Sequence, residues 1–370
     1  MKYHAILLSG LFTLSVTTRG QSGRPDQKNS EQVFKNIQSM KGIPINEFMG
    51  TMGFFSASLG ESCTFCHVDE SGGSWDRYAD DNDHKRTARR MIAMVSTMNK
   101  NFFNGRRVLT CYSCHRGAKL PETSPDIAQL YGAPRFAEPN RFVATPADSP
   151  SAAQILDKYI QALGGAPKLA ALTSFRATGT YHGYAAPIRQ MEIYAKAPNQ
   201  RSMVVHGDGT DLNITTYDGR EGWSAAPTTD VPVPLIELTG GELDGAKLDA
   251  VLSFPGQIKQ ALTQWRTGAP TSIDERDVLL VQGTADGRYP VNLYFDSETG
   301  LLVRMVRYMD SPVGLSPTQI DYADYREVAA VKMPMKATVS WLDGRATIVL
   351  TNVQANAAVD ASRFSRPAKP

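Results

Sequence analysis

CTFCH at residues 63–67 and CYSCH at residues 111–115 decide how this chain is read, because between them they use all four of its cysteines. Two thiols three positions apart can hold zinc, cycle as a dithiol, or add across the two vinyl groups of a haem. The histidine after each pair separates these chemistries. Two intervening residues bend the backbone so that both sulfurs reach one porphyrin edge, and the next residue then lies under the iron. The spacing therefore predicts thioethers from Cys63, Cys66, Cys111 and Cys114, proximal nitrogens from His67 and His115, and two covalently attached c-type haems.

The rival chemistries explain less. A zinc site built from four cysteines needs neither histidine, and the 44 residues between the pairs are unlike a compact ribbon. A dithiol switch or a structural disulfide has no use for a histidine immediately after each pair, twice, in a chain with six histidines. Haem is the expectation.

Working outward, MKYHAILLSGLFTLSVTTRGQSG at the start has a short positive end and an apolar run from Ala5 to Val16. That run is too short to span a bilayer and reads as a signal peptide over residues 1–23, so the chain is expected to be exported, to a periplasm, with no transmembrane span once matured. With 370 residues, 39 basic and 37 acidic, the chain has room for two domains and no charge excess that calls for nucleic acid.

Residues 28–118 carry helical periodicity: one helix from Ser30 to about Met40, a second over Ile45 to Ser56, and a third from about Asp83 to Phe103. Residues 119–150 hold Pro121, Pro125, Pro134, Pro139, Pro146 and Pro150 and read as a linker. From Ser151 the texture changes. One helix closes at Gly164 and Gly165, and then come many short runs of β-branched and aromatic residues, divided by Asp-Gly and Glu-Thr-Gly turns and by a helical interlude near residues 242–265. The expected fold is an all-α c-type cytochrome domain followed, over residues 151–370, by an α+β domain with a large antiparallel sheet.

Each iron needs a sixth ligand or an open position. Phe48, Met52 and Phe55 share a helical stripe upstream of the first motif, and Met91, Met94, Val95, Met98 and Phe102 share one upstream of the second. Methionines on an apolar face also fill core space, but beside a haem motif one from each stripe is the expected ligand.

SASLGESCTFCH and ARRMIAMVSTMN…LTCYSCHRG resemble the haem-binding segments of the cytochrome c subunit of photosynthetic reaction centres. The resemblance covers about residues 31–118. It implies that each segment is a methionine-bearing helix, a turn and a Cys-x-x-Cys-His helix, with the ligands at Met52 and at Met91, directly after Arg-Arg. Met94 and Met98 stand as substitutes, because the loop before Cys111 is shorter here than in the family. That family's subunit carries four haems, and this chain has motifs for two.

The run HKRTARR with Arg106, Arg107, Arg116 and Lys119 makes the haem half locally basic, which suits haem propionates and could steer an acidic redox partner. His84 is an alternative axial ligand; His182 and His206 read as ordinary strand residues. The second half also has the texture of the half-barrels of periplasmic lipoprotein carriers, in segments such as FDSETGLLVRM, so a hydrophobic ligand there is an open alternative. The expected role is a carrier of single electrons between periplasmic or membrane-bound redox proteins, not an enzyme. The rivals are a peroxidase-like haem enzyme with one open iron, and a lipid-binding or assembly module with a cytochrome attached.

Overall fold

The computed structural model describes residues 28–67, 75–125, 127–132, 145, 149–183, 186–227, 231–285 and 288–367. The expected signal peptide lies outside the described residues, as do Pro134, Pro139 and Pro146 of the expected linker. An N-terminal helical part is followed by a large antiparallel sheet with helices against it.

The helical part consists of α1 (Ser30–Val33), α2 (Ile45–Leu59), α3 (Cys63–Cys66), α4 (Asp83–Phe102) and α5 (Cys111–His115). The helix expected to reach Met40 stops after one turn. Asn36 and Met40 take positive φ, and Ser30 N–H donates instead to the carbonyl of Ile43 at 2.9 Å, folding residues 34–42 into a turn. That turn is held by Asn36 Nδ2, which donates to the carbonyl of Ala79, and by Lys35, which pairs with Asp76. Partners distant in sequence thus overrode local periodicity.

α2 begins after Pro44 and ends at Gly60, whose φ of 66° closes the helix in the left-handed region. α4 is capped by Asn82, whose side chain accepts from Lys85 N–H, with Asp83 in the first turn and Lys100 in the last, as the helix dipole favours. A one-turn helix, α6 (Ile127–Leu130), lies within the proline-rich stretch.

The second half opens with α7 (Ala152–Ala162), capped by a Ser151–Gln154 box and stopped by Gly164 and Gly165. α8 (Ala166–Ala171) follows, and α9 (Gly240–Leu252) forms the helical interlude. The strands are β1 (Ser174–Gly183), β2 (Ile188–Lys196), β3 (Gln200–His206), β4 (Leu212–Tyr217), β5 (Gly222–Ala225) and β6 (Leu235–Glu237), then, after α9, β7 (Gln264–Thr267), β8 (Thr271–Ile273) and β9 (Arg276–Thr284). The series ends with β10 (Val291–Asp296), β11 (Leu302–Ser311), β12 (Gly314–Val328), β13 (Val331–Trp341) and β14 (Gly344–Ala355).

The order across the sheet is β6-β5-β4-β3-β2-β1-β14-β13-β12-β11-β10-β9-β7, with β8 added to β9 and every pairing antiparallel. The two ends do not meet, so the sheet is open. It is also curled. α9 packs against β3, β4 and β5 and also against β11. In a flat sheet β5 and β11 would stand roughly 40 Å apart, whereas a 13-residue helix is about 20 Å long. The inner face is apolar and filled: Leu156, Leu163, Phe175, Met191, Ile258, Phe295 and Met305 join one buried cluster between the helices and the sheet.

α2 seats the helical part on this sheet. It packs against β6, β11 and β12, with Phe54 buried over Gly314 and with Gly50 against Met309. A Cβ at Gly53 would lie 2.9 Å from Asp343 Oδ1, so the small residues along α2 permit close approach. Polar contacts frame the joint. Thr239 Oγ1 donates to Asn46 Oδ1 at 3.0 Å, Asn46 Nδ2 donates to the Thr239 carbonyl, and Arg107 pairs with Asp310 and the carbonyl of Ser311.

Candidate haem-binding site

The four cysteines are free, and they do not come together. Among the described residues no group of three or more His, Cys, Asp or Glu side chains is placed to hold a metal ion. Each pair instead sits on its own short helix, one helical turn apart. Burial raises the thiol pKa of Cys66 and of Cys111 above its usual value.

The two histidines are fixed in the same way. His67 Nδ1 lies 3.1 Å from the carbonyl of Tyr78, and His115 Nδ1 lies 3.1 Å from the carbonyl of Ala118. A carbonyl oxygen can only accept, so each Nδ1 carries the proton and donates. In the neutral ring Nε2 is then the lone pair, the tautomer a metal ligand needs. Lys85 donates to the same Tyr78 carbonyl, and burial followed by the Lys85 charge lowers the pKa of His67, favouring the neutral ring.

Around the first motif the structure gathers aromatics that sequence order scatters. His67 meets Tyr78 edge-on at 4.9 Å, Tyr78 meets Trp75 at 5.4 Å, and Trp75 stacks on Phe34, which stacks on Phe48 at 5.4 Å. Phe48 is one turn before Met52 on α2, and Met52 is half-buried. The Tyr78 carbonyl, Trp75 and Phe34 were not evident from the motif itself, since only tertiary packing brings them to His67.

α4 spans both motifs. At its N-terminal end Asn82 Nδ2 donates to the carbonyl of Cys66 at 3.0 Å, and His84 stacks on Phe65 at 4.0 Å. At its C-terminal end Asn99 Oδ1 accepts from Val108 and Leu109 N–H while its Nδ2 donates to the Leu109 carbonyl, setting the loop that leads to Thr110, the N-cap of α5. The seam of α4 that packs is Ala88, Ile92, Val95 and Asn99. The methionine stripe lies on the neighbouring flank and is open: Met91 is 37%, Met94 44%, Met98 36% and Phe102 76% exposed. The protein alone leaves uncovered the very face that the sequence marks as apolar. A flat apolar group with a soft ligand requirement fits that flank. The donor set, with two free imidazole nitrogens, two thiol pairs and exposed thioethers, fits c-type haem.

The two units also interlock. α2 packs against α5, and α4 packs against α3 and α5. Gly117 N–H donates to the Ser58 carbonyl at 3.0 Å.

With this geometry in view, comparison with known proteins gives a consistent result. Residues 14–129 match the family described as photosynthetic reaction centre cytochrome C subunit. Curated relatives carry the same description: the cytochrome c subunit from Thermochromatium tepidum is 33% identical over 97 residues, covering 25% of this chain and 23% of that protein. The subunit from Rubrivivax gelatinosus is also 33% identical over 97 residues, covering 22% of this chain and 26% of that one. The chain thus spans about a quarter of the length of these relatives. Solved structures resemble the second half. A DUF1329 family protein from Desulfovibrio piger covers 57% of this chain and 95% of its own at 10% identity and a TM-score of 0.42. A LolA superfamily protein from Nitrosomonas europaea covers 59% and 98% at 13% identity and a TM-score of 0.40. Among the described residues no helix is long and apolar enough to cross a membrane.

Proposed function

We propose that this chain is an exported carrier of single electrons whose helical half holds two covalently attached c-type haems. Cys63 and Cys66 would hold one, Cys111 and Cys114 the other, with His67, His115, Met52 and Met91 as the residues that would ligate iron. When bound, haem iron supplies a one-electron ferric/ferrous couple, and methionine–histidine ligation raises its potential. The observation that carries the reading is the matched pair of histidines, each with Nδ1 engaged by a backbone carbonyl and Nε2 left to bind.

The roles of the chain's own residues follow. The thiols would hold the macrocycle, and the carbonyls of Tyr78 and Ala118 hold the imidazole planes. Phe34, Phe48, Trp75 and Tyr78 would keep water from the first iron, and the α4 flank would do so for the second. Met52 and Met91 as iron ligands would leave no position for oxygen or peroxide. The redox partners would be periplasmic or membrane-bound proteins.

Mass spectrometry of the mature protein, made in a host competent for cytochrome c maturation, tests this. The expected mass exceeds that of the bare chain by two haems, and Cys111→Ala with Cys114→Ala removes one. A mass equal to bare chain overturns the proposal. Rapid carbon monoxide binding by the untreated reduced protein would overturn the six-coordinate assignment and favour an enzyme.

A further inference from the structure

Lys85 stands against the local rules. It lies in the first turn of α4, where the helix dipole favours anions, and it is half-buried. Burial lowers its pKa below the ordinary lysine value, with the Asp81 charge opposing. The nearby carboxylates have other partners: Asp76 pairs with Lys35, Asp80 with Arg77, and Asp81 with Arg89 through two hydrogen bonds. A cation kept where helix and burial both disfavour it points to a use beyond stability.

What Lys85 touches is the support of the first histidine. Its ammonium donates to the carbonyl of Tyr78, the same oxygen that accepts from His67 Nδ1, and to the carbonyl of Asp80 at 2.9 Å. Its backbone N–H donates to Asn82 Oδ1, and Asn82 Nδ2 donates to the Cys66 carbonyl at 3.0 Å. Lys85 is thus tied to the first motif twice, through Cys66 and through His67. The second motif has no counterpart: among the described residues the Ala118 carbonyl accepts from His115 Nδ1 and from no lysine or arginine. A carbonyl that accepts from an imidazole N–H makes the ring a stronger donor to a metal at its other nitrogen. An ammonium on the same oxygen draws electron density away and weakens that effect. Its charge also disfavours the more oxidised, more positive state of a metal held by the ring.

We propose that Lys85 is a positioning residue that acts through the Tyr78 carbonyl and His67 to raise the reduction potential of the first haem, leaving the second as it is. This rests on the carrier reading above, and it adds the residue that sets the two centres apart. On reduction one electron arrives, no bond is made and no proton moves; what falls is the positive charge that Lys85 faces.

The test is a spectroelectrochemical titration of the haem-loaded full chain. Haem content is measured first, so a chain lacking two haems fails the carrier reading and not this one. Lys85→Met should move one of the two redox waves toward the ferric state by about tenfold in the ferric/ferrous ratio, which is about 59 mV for one electron. The wave that moves should be the one retained by the Cys111→Ala, Cys114→Ala chain. Lys85→Gln, which keeps a polar group should methionine disturb the turn, should move the same wave the same way, and Lys85→Arg should lose less than half of the effect. Arg86→Gln removes an equal charge one residue along α4, on an exposed side chain, and should leave both waves in place. In the ferrous protein the Nδ1–H proton resonance of His67 should move downfield in Lys85→Met, as the freed carbonyl accepts a stronger bond, while that of His115 stays. Unmoved waves in Lys85→Met and Lys85→Gln, an equal shift in Arg86→Gln, or movement of the other wave would each overturn the proposal. So would a lowered wave with an unmoved His67 resonance, since the lysine would then act on the haem propionates and not through the histidine.

Discussion

Gly60 and Gly117 meet back to back: a Cβ on Gly60 would run into the Gly117 carbonyl, and both residues have positive φ. One ends the helix before the first motif and the other follows the histidine of the second, so the contact locks the two units together. Gly60→Ala is expected to lower stability by about 2–3 kcal/mol, from left-handed strain plus displacement of the facing backbone. Thermal melts of apo and haem-loaded protein would show it. An unchanged Tm would mean that this contact is not formed.

The axial assignment separates cleanly by spectroscopy. Met52→Leu and Met91→Leu should each abolish half of the weak red absorption band of methionine-ligated ferric haem, while Met94→Leu and Met98→Leu leave it intact. A loss in Met94→Leu or Met98→Leu, with Met91→Leu silent, would move the second ligand along α4. Leucine keeps the volume, so folding changes should stay below about 1.5 kcal/mol.

Glu242 stands at the joint between the halves, near Arg307 and Glu47. Burial pushes its pKa up from 4.5 to about 7, with Arg307 opposing the shift and Glu47 adding to it. Between pH 4.5 and 7 the folded protein therefore holds a proton that the unfolded chain releases, so this contribution to stability is full at low pH and is lost as pH rises to about 7. Since the side chain keeps some solvent contact, the effect is about 1–2 kcal/mol rather than the full shift. Urea melts of wild type and Glu242→Gln at pH 5 and 7.5 should differ in slope with pH by that amount, with the variant flatter.

Phe54 is buried against Gly314, where α2 crosses the turn between β11 and β12. Phe54→Ala should cost about 3 kcal/mol and loosen the joint. Differential scanning calorimetry is expected to resolve one transition in the wild type and two in the variant. A single unshifted transition would show that α2 does not couple the halves.

Much of this could be read from residues in order. The Cys-x-x-Cys-His pairs carry the haem proposal locally, because the attachment geometry it requires is set within five residues. α2, α4 and α7 follow from caps and glycine stops at Asn82, Gly60 and Ser151. The β texture after Ser174 announced an antiparallel sheet, since its strands are joined largely by short turns. Other features depended on partners far away in sequence. The segment after Val33 has the apolar spacing of a helix, yet Ile43, Asp76 and Ala79 pull it into a turn. Tyr78 is invisible as a histidine partner because its backbone carbonyl, not its side chain, does the binding. The seating of α2 on β11 and β12 joins residues more than 250 positions apart, which no periodicity encodes.

That seating changes how the chain can be handled. Cutting within the proline-rich stretch would strip Phe54 and the glycine edge of α2 of their cover and leave the Met52 helix to find its tilt unaided. The sheet thus acts as a jig for the helix that carries Met52, and if Met52 ligates iron as proposed, a truncated helical half would report an altered electronic environment at that haem alone.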